Sequence, residues 1–244
     1  MSKQATEFQR REMSRMYRGK QIFKPLNTGW IDEHVACVRE WVANIFFCRN
    51  GATAIMIDAG YHDERLEEKM GWLGLRPEEI RDILITHQDT DYVGGVEADS
   101  DGALRSAKRY IGEVEAMLVP GHTWGHMVYL LDDRYLFTGD TIWLGAGGGY
   151  SFLSALAENN KLAVRSLAAL ERKLRSRGLQ PCILTGHTGW TRGLDFAFAY
   201  EDRLCSPFGK RVPDPSAPYD AYDESDDTAQ RAKTGTLPPV GRQA

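Results

Sequence analysis

The stretch Ile85-Thr86-His87-Gln88-Asp89-Thr90-Asp91-Tyr92-Val93-Gly94-Gly95 sets one imidazole and two carboxylates two residues apart, ahead of a tyrosine and a glycine pair. It continues the apolar run Ile83 to Ile85, which reads as a strand. Side chains alternate along extended backbone, so positions i, i+2 and i+4 put His87, Asp89 and Asp91 on one side. Three ligand-type side chains on one side can begin a metal site. Other segments must complete it.

The chain has six histidines: His34, His62, His87, His122, His126 and His187. His122 and His126 lie in VPGHTWGH after the run AMLV, and His187 lies in ILTGHTGW after another apolar run. Asp140 ends LFTGD in the same way. One pattern repeats: a strand ends, and a His or Asp follows at its C-terminal edge. Side chains gathered at one edge of a sheet can converge on a point. Imidazole with carboxylate is a ligand set for zinc, iron or manganese. His34 and His62 have no such context and read as surface histidines.

The remaining pattern fits an α/β or α+β domain. Strands are expected at Ile45–Cys48, Thr53–Ile57, Ile83–Ile85, Met117–Val119, Met127–Leu131, Tyr135–Phe137 and Cys182–Leu184. Leu66, Met70 and Leu73 have helical spacing, and Pro77 with Glu78 and Glu79 suits the first turn of a short helix. The clearest helix is NNKLAVRSLAALERKLRSRG, with Ala163, Leu167, Leu170 and Leu174 as its apolar stripe and Gly178 as its cap. The glycine run GAGGGYSF after Asp140 reads as a flexible loop, because it lacks the Lys-Ser/Thr of a phosphate loop. No GxSxG elbow is present, which excludes the usual serine-hydrolase arrangement.

Composition narrows the function class. A net charge of −4 gives no footprint for nucleic acid, and no apolar run approaches the length that spans a membrane. The N-terminus is charged and carries no secretory signal. Cys37, Cys48, Cys182 and Cys205 form no CxxC pair and read as thiols in a reducing, cytoplasmic setting. Residues 1–206 are expected to form the domain. From Pro207 to residue 244 the chain is rich in proline, with an acidic stretch DAYDESDD, and is expected to be disordered.

Taken in order, five segments resemble the metallo-β-lactamase fold superfamily. NIFFCRNGATAIMIDAG is similar to its early hairpin and Asp-x-Gly turn, and ITHQDTDYVGG to its THxHxDHxGG motif. VPGHTWGH, LFTGDTIW and ILTGHTGW are similar to its later histidine and aspartate motifs. The resemblance implies an αββα sandwich with a binuclear metal site at one edge. It implies a first metal on His87, Asp89 and His122, a bridging Asp140, and a second metal on Asp91 and His187. His126 would support the site without ligating.

Three departures from the family pattern stand out. Asp89 replaces the usual second histidine, which adds negative charge and moves preference from zinc toward iron or manganese. Tyr92 replaces the usual final histidine of HxHxDH, giving HxDxDY, and a phenol with a pKa of about 10 is a poor zinc ligand. Packing or hydrogen bonding is the expected role of Tyr92. Only 30 residues separate Asp91 from His122, so the fold is expected to be shortened there, with a stretch near Glu113 missing. The function implied is a metal-dependent hydrolase in which Asp91 and Asp140 serve water activation. One or two zinc ions, or iron or manganese, would act on a small ester, thioester, lactone, amide or phosphoester. The alternatives are a degenerate, non-catalytic metal-binding member and, behind it, a diiron redox protein.

Overall fold

Three apolar clusters, each drawing on alternate residues of the same strands, set the architecture. The computed structural model describes residues 23, 25–40, 42–60, 63–93, 114–145, 147–153 and 157–205. One five-stranded sheet has the order β1 (Gly29–Trp30), β2 (Val35–Glu40), β3 (Ala43–Asn50), β4 (Thr53–Ile57), β5 (Ile80–Leu84). The other has the order β12 (Trp190–Arg192), β11 (Cys182–Leu184), β8 (Tyr135–Phe137), β7 (Met127–Leu131), β6 (Val114–Leu118). A smaller sheet joins β13 (Tyr200–Cys205), β10 (Gly148–Leu153) and β9 (Ile142–Gly145). The helices are α1 (Asp63–Trp72), α2 (Thr90–Val93), α3 (Asn160–Ser176) and α4 (Leu194–Ala197).

The inner faces of the two large sheets meet. Phe46, Cys48, Ile55 and Ile57 from the first pack against Tyr129, Leu131, Phe137 and Leu184 from the second. The alternate residues turn outward. Ile45, Phe47 and Met56 pack under Leu66 and Met70 of α1. Val128, Leu130, Leu136 and Ile183 pack under Leu167, Leu170 and Leu174 of α3. The layers therefore run helix, sheet, sheet, helix, the αββα sandwich expected from the sequence. Asn159 caps α3 by accepting the Leu162 N–H, and Gly178 closes it at φ +67°.

Strand direction decides which loops share an edge. β2, β4 and β5 run one way in their sheet, since β2 and β4 are each antiparallel to β3 and β5 is parallel to β4. β6, β8 and β11 run one way in theirs, since β6 and β8 are each antiparallel to β7 and β11 is parallel to β8. Residues that follow these six strands are thus carried to sheet ends. Backbone hydrogen bonds join the sheets there: Met127 N donates to Thr86 O and Asn44 N to Gly186 O, both at 2.7 Å.

The strands Thr53–Ile57, Met127–Leu131, Tyr135–Phe137 and Cys182–Leu184 have the bounds read from sequence, while β5 and β6 begin three residues earlier than read. Pro77–Glu79 is a 3-10 turn. The glycine run corrects its reading as a flexible loop. Gly148 and Gly149 open β10, which pairs with β9 and β13. A Cβ on Gly149 would lie 1.9 Å from Ala197 O, and one on Gly148 would lie 2.5 Å from Ala199 Cβ. These glycines serve close approach to the chain around α4, not mobility.

Cys37, Cys48 and Cys182 are buried. His34 is half-exposed. Among the described residues no helix is long and apolar enough to cross a membrane. The expected tail from Pro207, the shortening near Glu113, Gly94, Gly95, His62 and the side chain of Cys205 lie outside the described residues.

Candidate metal centre

His87 and Asp89 follow β5, and Asp91 and Tyr92 sit in the single turn of α2 directly behind them. His122 follows β6, Asp140 lies in the 3-10 turn Gly139–Thr141 after β8, and His187 follows β11. The VPGHTWGH loop is pressed onto α3. A Cβ on Gly121, at φ +144°, would lie 2.2 Å from the Ala163 backbone, so glycine is required there.

Asp140 is the hub. Its Oδ2 lies 3.7 Å from His87 Nε2, 3.4 Å from His122 Nε2 and 3.2 Å from His187 Nε2. Asp89 Oδ2 lies 3.2 Å from His122 Nε2 and 3.6 Å from His87 Nε2. Asp91 Oδ2 lies 3.4 Å from His187 Nε2. All six sequence-predicted side chains are brought together. Donors about 2.0–2.1 Å from a tetrahedral ion stand about 3.4 Å from each other, and these spacings bracket that value. His87, Asp89 and His122 form a group that could hold a metal ion. Their buried surroundings and mixed imidazole–carboxylate chemistry fit one. So does His87 Nε2, which is buried without a hydrogen-bond partner.

Outer contacts aim the imidazoles. Thr86 donates its hydroxyl to Asp58, leaving Oγ1 to accept from His87 Nδ1 at 2.9 Å. His187 Nδ1 lies 2.7 Å from Val42 O, which can only accept. Both rings therefore carry a proton on Nδ1 and turn Nε2 inward. His126 differs, because its Nε2 accepts the Asp140 N–H at 3.0 Å. That nitrogen is occupied, and the ring holds the Asp140 turn. Gly139, at φ +47°, makes room: a Cβ there would lie 2.6 Å from Thr86 Oγ1 and 2.9 Å from His126 Nε2.

Charges in the pocket are strongly coupled. Burial raises the Asp140 carboxyl, but His187, then His87 and His122, outweigh it and hold it well below the carboxylate range. Asp89 is likewise held low, because its hydrogen bond with His122 and the nearby His87 imidazole outweigh burial. Asp91 is pushed up to about 7 by burial, with Asp140 and Asp89 adding repulsion. His187 rises to about 9, since Asp140 and Asp91 outweigh its burial. Burial drives His126 well below its ordinary value, with the charges of His87 and His122 adding to it. A buried carboxylate cluster of this kind calls for positive charge, from protons or from a metal.

Tyr92 is fully buried and donates its hydroxyl to Asp140 Oδ1 at 2.5 Å. Its ring lies 4.1 Å from His87 and 5.6 Å from His187, centroid to centroid. Three contributors have no motif in the sequence. Val42 acts through a backbone carbonyl, which no motif records. Phe23 sets its ring 4.7 Å from His187, edge to face, from far upstream. Asn44 accepts the Leu26 N–H and donates to Thr185 O at 2.9 Å. A polar residue inside the apolar run ANIFF was the one available signal.

Residues 38–98 match the family model described as metallo-beta-lactamase superfamily. The hydroxyacylglutathione hydrolase of Pseudomonas putida strain F1 is 32% identical over 155 residues, 53% of this chain and 56% of that protein. The atrochrysone carboxyl ACP thioesterase of Aspergillus fumigatus is 30% identical over 131 residues, 43% and 41% of the two chains. The chain spans about half the length of the curated relatives it matches. A solved metallo-beta-lactamase from Pontibacter korlensis superposes with a TM-score of 0.56 at 16% identity, over 73% of this chain and 100% of that one. With its αββα layers, the chain has the metallo-β-lactamase fold, and its residues 38–98 match that superfamily's model.

Proposed function

We propose that the chain is a metal-dependent hydrolase and that its substrate is a small thioester. The observation that carries the reading is Asp140 Oδ2 facing three imidazole Nε2 atoms at 3.2–3.7 Å, with Asp89 and Asp91 beside them. His87, Asp89, His122 and Asp140 would hold a zinc ion, with iron or manganese as the other candidates for a carboxylate-rich set. Asp91 and His187, with Asp140, would form a second position. When bound, the metal would supply a water acidified to a pKa of about 7 and an electrophile for the carbonyl oxygen.

The chain's own groups do the rest. Asp91, with Oδ2 3.4 Å from His187 Nε2, would orient the attacking water and take its proton. Water oxygen bonds to the acyl carbon, the carbon–sulfur bond breaks, and the thiol leaves with a proton. His126 and Tyr92 keep Asp140 in place. Asp89 is 46% exposed at its side chain, against 0–7% for the other five, so the acyl group enters on its side. The thioester choice follows from two relatives whose names specify cleavage of an acyl group from a thiol carrier. Buried cysteine side chains favour a cytoplasmic setting.

The test is thiol release from an S-(2-hydroxyacyl)glutathione and an acylpantetheine, run beside an oxygen ester, a lactone, a β-lactam and a phosphodiester. Thioester cleavage lost in Asp140→Ala is the expected result. Preference for another panel member would replace the substrate class. A metal-loaded, folded protein that cleaves nothing would leave a non-catalytic metal-binding role.

A further inference from the structure

We infer that this centre holds one divalent cation tightly, in the half built by His87, Asp89 and His122, and that Tyr92 closes the other half. The inference rests on the metal-centre reading above and deepens it.

Donor count separates the halves. His87 Nε2, His122 Nε2, Asp89 Oδ2 and Asp140 Oδ2 make four donors, the number a tetrahedral ion needs. The other half offers Asp91 Oδ2 and His187 Nε2, and must share Asp140. Asp140 can serve both halves only through Oδ2, because Oδ1 accepts the Tyr92 hydroxyl at 2.5 Å.

Backbone closes over the same oxygen. A Cβ on Gly186 would lie 2.6 Å from Asp140 Oδ1 and 2.1 Å from the Tyr92 hydroxyl. All three inward imidazoles therefore compete for Oδ2 alone. The phenol spends its proton on Asp140, and its ring lies between His87 and His187. On its far side His187 is walled by Phe23 at 4.7 Å and Trp143 at 6.2 Å. Tyr92 thus acts as a positioning residue for Asp140 and as a plug.

The experiment is chelator-stripped protein titrated with zinc against a chromophoric competitor, with bound metal counted by plasma mass spectrometry. One tight equivalent is expected. Asp89→Ala should lose it and Asp91→Ala should keep it. Tyr92→His should bind two. If that variant does not fold, Tyr92→Phe keeps the ring, frees Oδ1, and should bind a second equivalent at least tenfold more tightly than the parent does. Two tight equivalents in the parent would overturn the inference while leaving the hydrolase reading intact. So would a single equivalent lost in Asp91→Ala, or no gain in either Tyr92 variant. A folded parent that binds no zinc would remove both.

Discussion

Thr86 donates twice to Asp58: its backbone N–H reaches Oδ1 at 2.7 Å and its hydroxyl reaches the same oxygen at 3.0 Å. The second bond fixes the hydroxyl's direction and thereby the tautomer of His87. Thr86→Val keeps the shape and removes the relay. Its zinc affinity should fall about 10–100-fold, with the melting temperature of the metal-loaded protein falling in step. An unchanged affinity in competition titration would show that His87 needs no such orientation.

His126 invites a sharper test, since motif position alone makes it look like a ligand. Its Nε2 serves the Asp140 N–H. His126→Leu should keep the metal count of the parent and lose stability, because a buried N–H left unmade costs about 1–3 kcal/mol. Loss of the metal without loss of stability would reverse that assignment. Denaturant unfolding and metal counting on one preparation separate the two.

For the chelator-treated protein, pH has a defined sign. His187 and Asp91 both have folded values above their ordinary ones, about 9 and about 7. Groups with raised folded values bind protons on folding, so their contribution is full at low pH and is lost as pH climbs through the folded values. The melting temperature without metal should fall from pH 7 to pH 9. Zinc uptake near pH 7.5 should release protons, visible as a dependence of calorimetric heat on buffer ionisation enthalpy. Identical heats in phosphate and Tris buffers would contradict this.

Leu167 is fully buried between α3 and the second sheet. Leu167→Ala should cost about 2–5 kcal/mol in urea unfolding. The metal count should not change, since α3 meets the centre at its N-terminal end, around Gly121 and His122, away from Leu167.

Much of this was legible because chemistry and backbone agree at the strand ends. Runs such as TAIMI and MVYLL are apolar throughout, bounded by turn residues, and their limits coincide with β4 and β7. β2 was not legible, because Arg39 and Glu40 end a run whose six residues are nevertheless all buried. Local pattern does not reveal what lies above a strand. The glycines of β10 misled for a related reason, since close approach and flexibility use the same residue. At the centre, side-chain ligand types were readable from spacing. The Tyr92–Asp140 bond needed three dimensions, and so did the Val42 carbonyl behind His187.

The bond between His187 Nδ1 and Val42 O spans 145 residues of sequence, and that from Asn44 to Thr185 spans 141. Closing loops of that size is slow relative to local structure. A ribosome that has just made α2 has added His87, Asp89 and Asp91 but not His122, Asp140 or His187. The centre is then a late product of folding. Metal capture reports that the two halves of the chain have found each other, and an early zinc pool cannot template the first half alone.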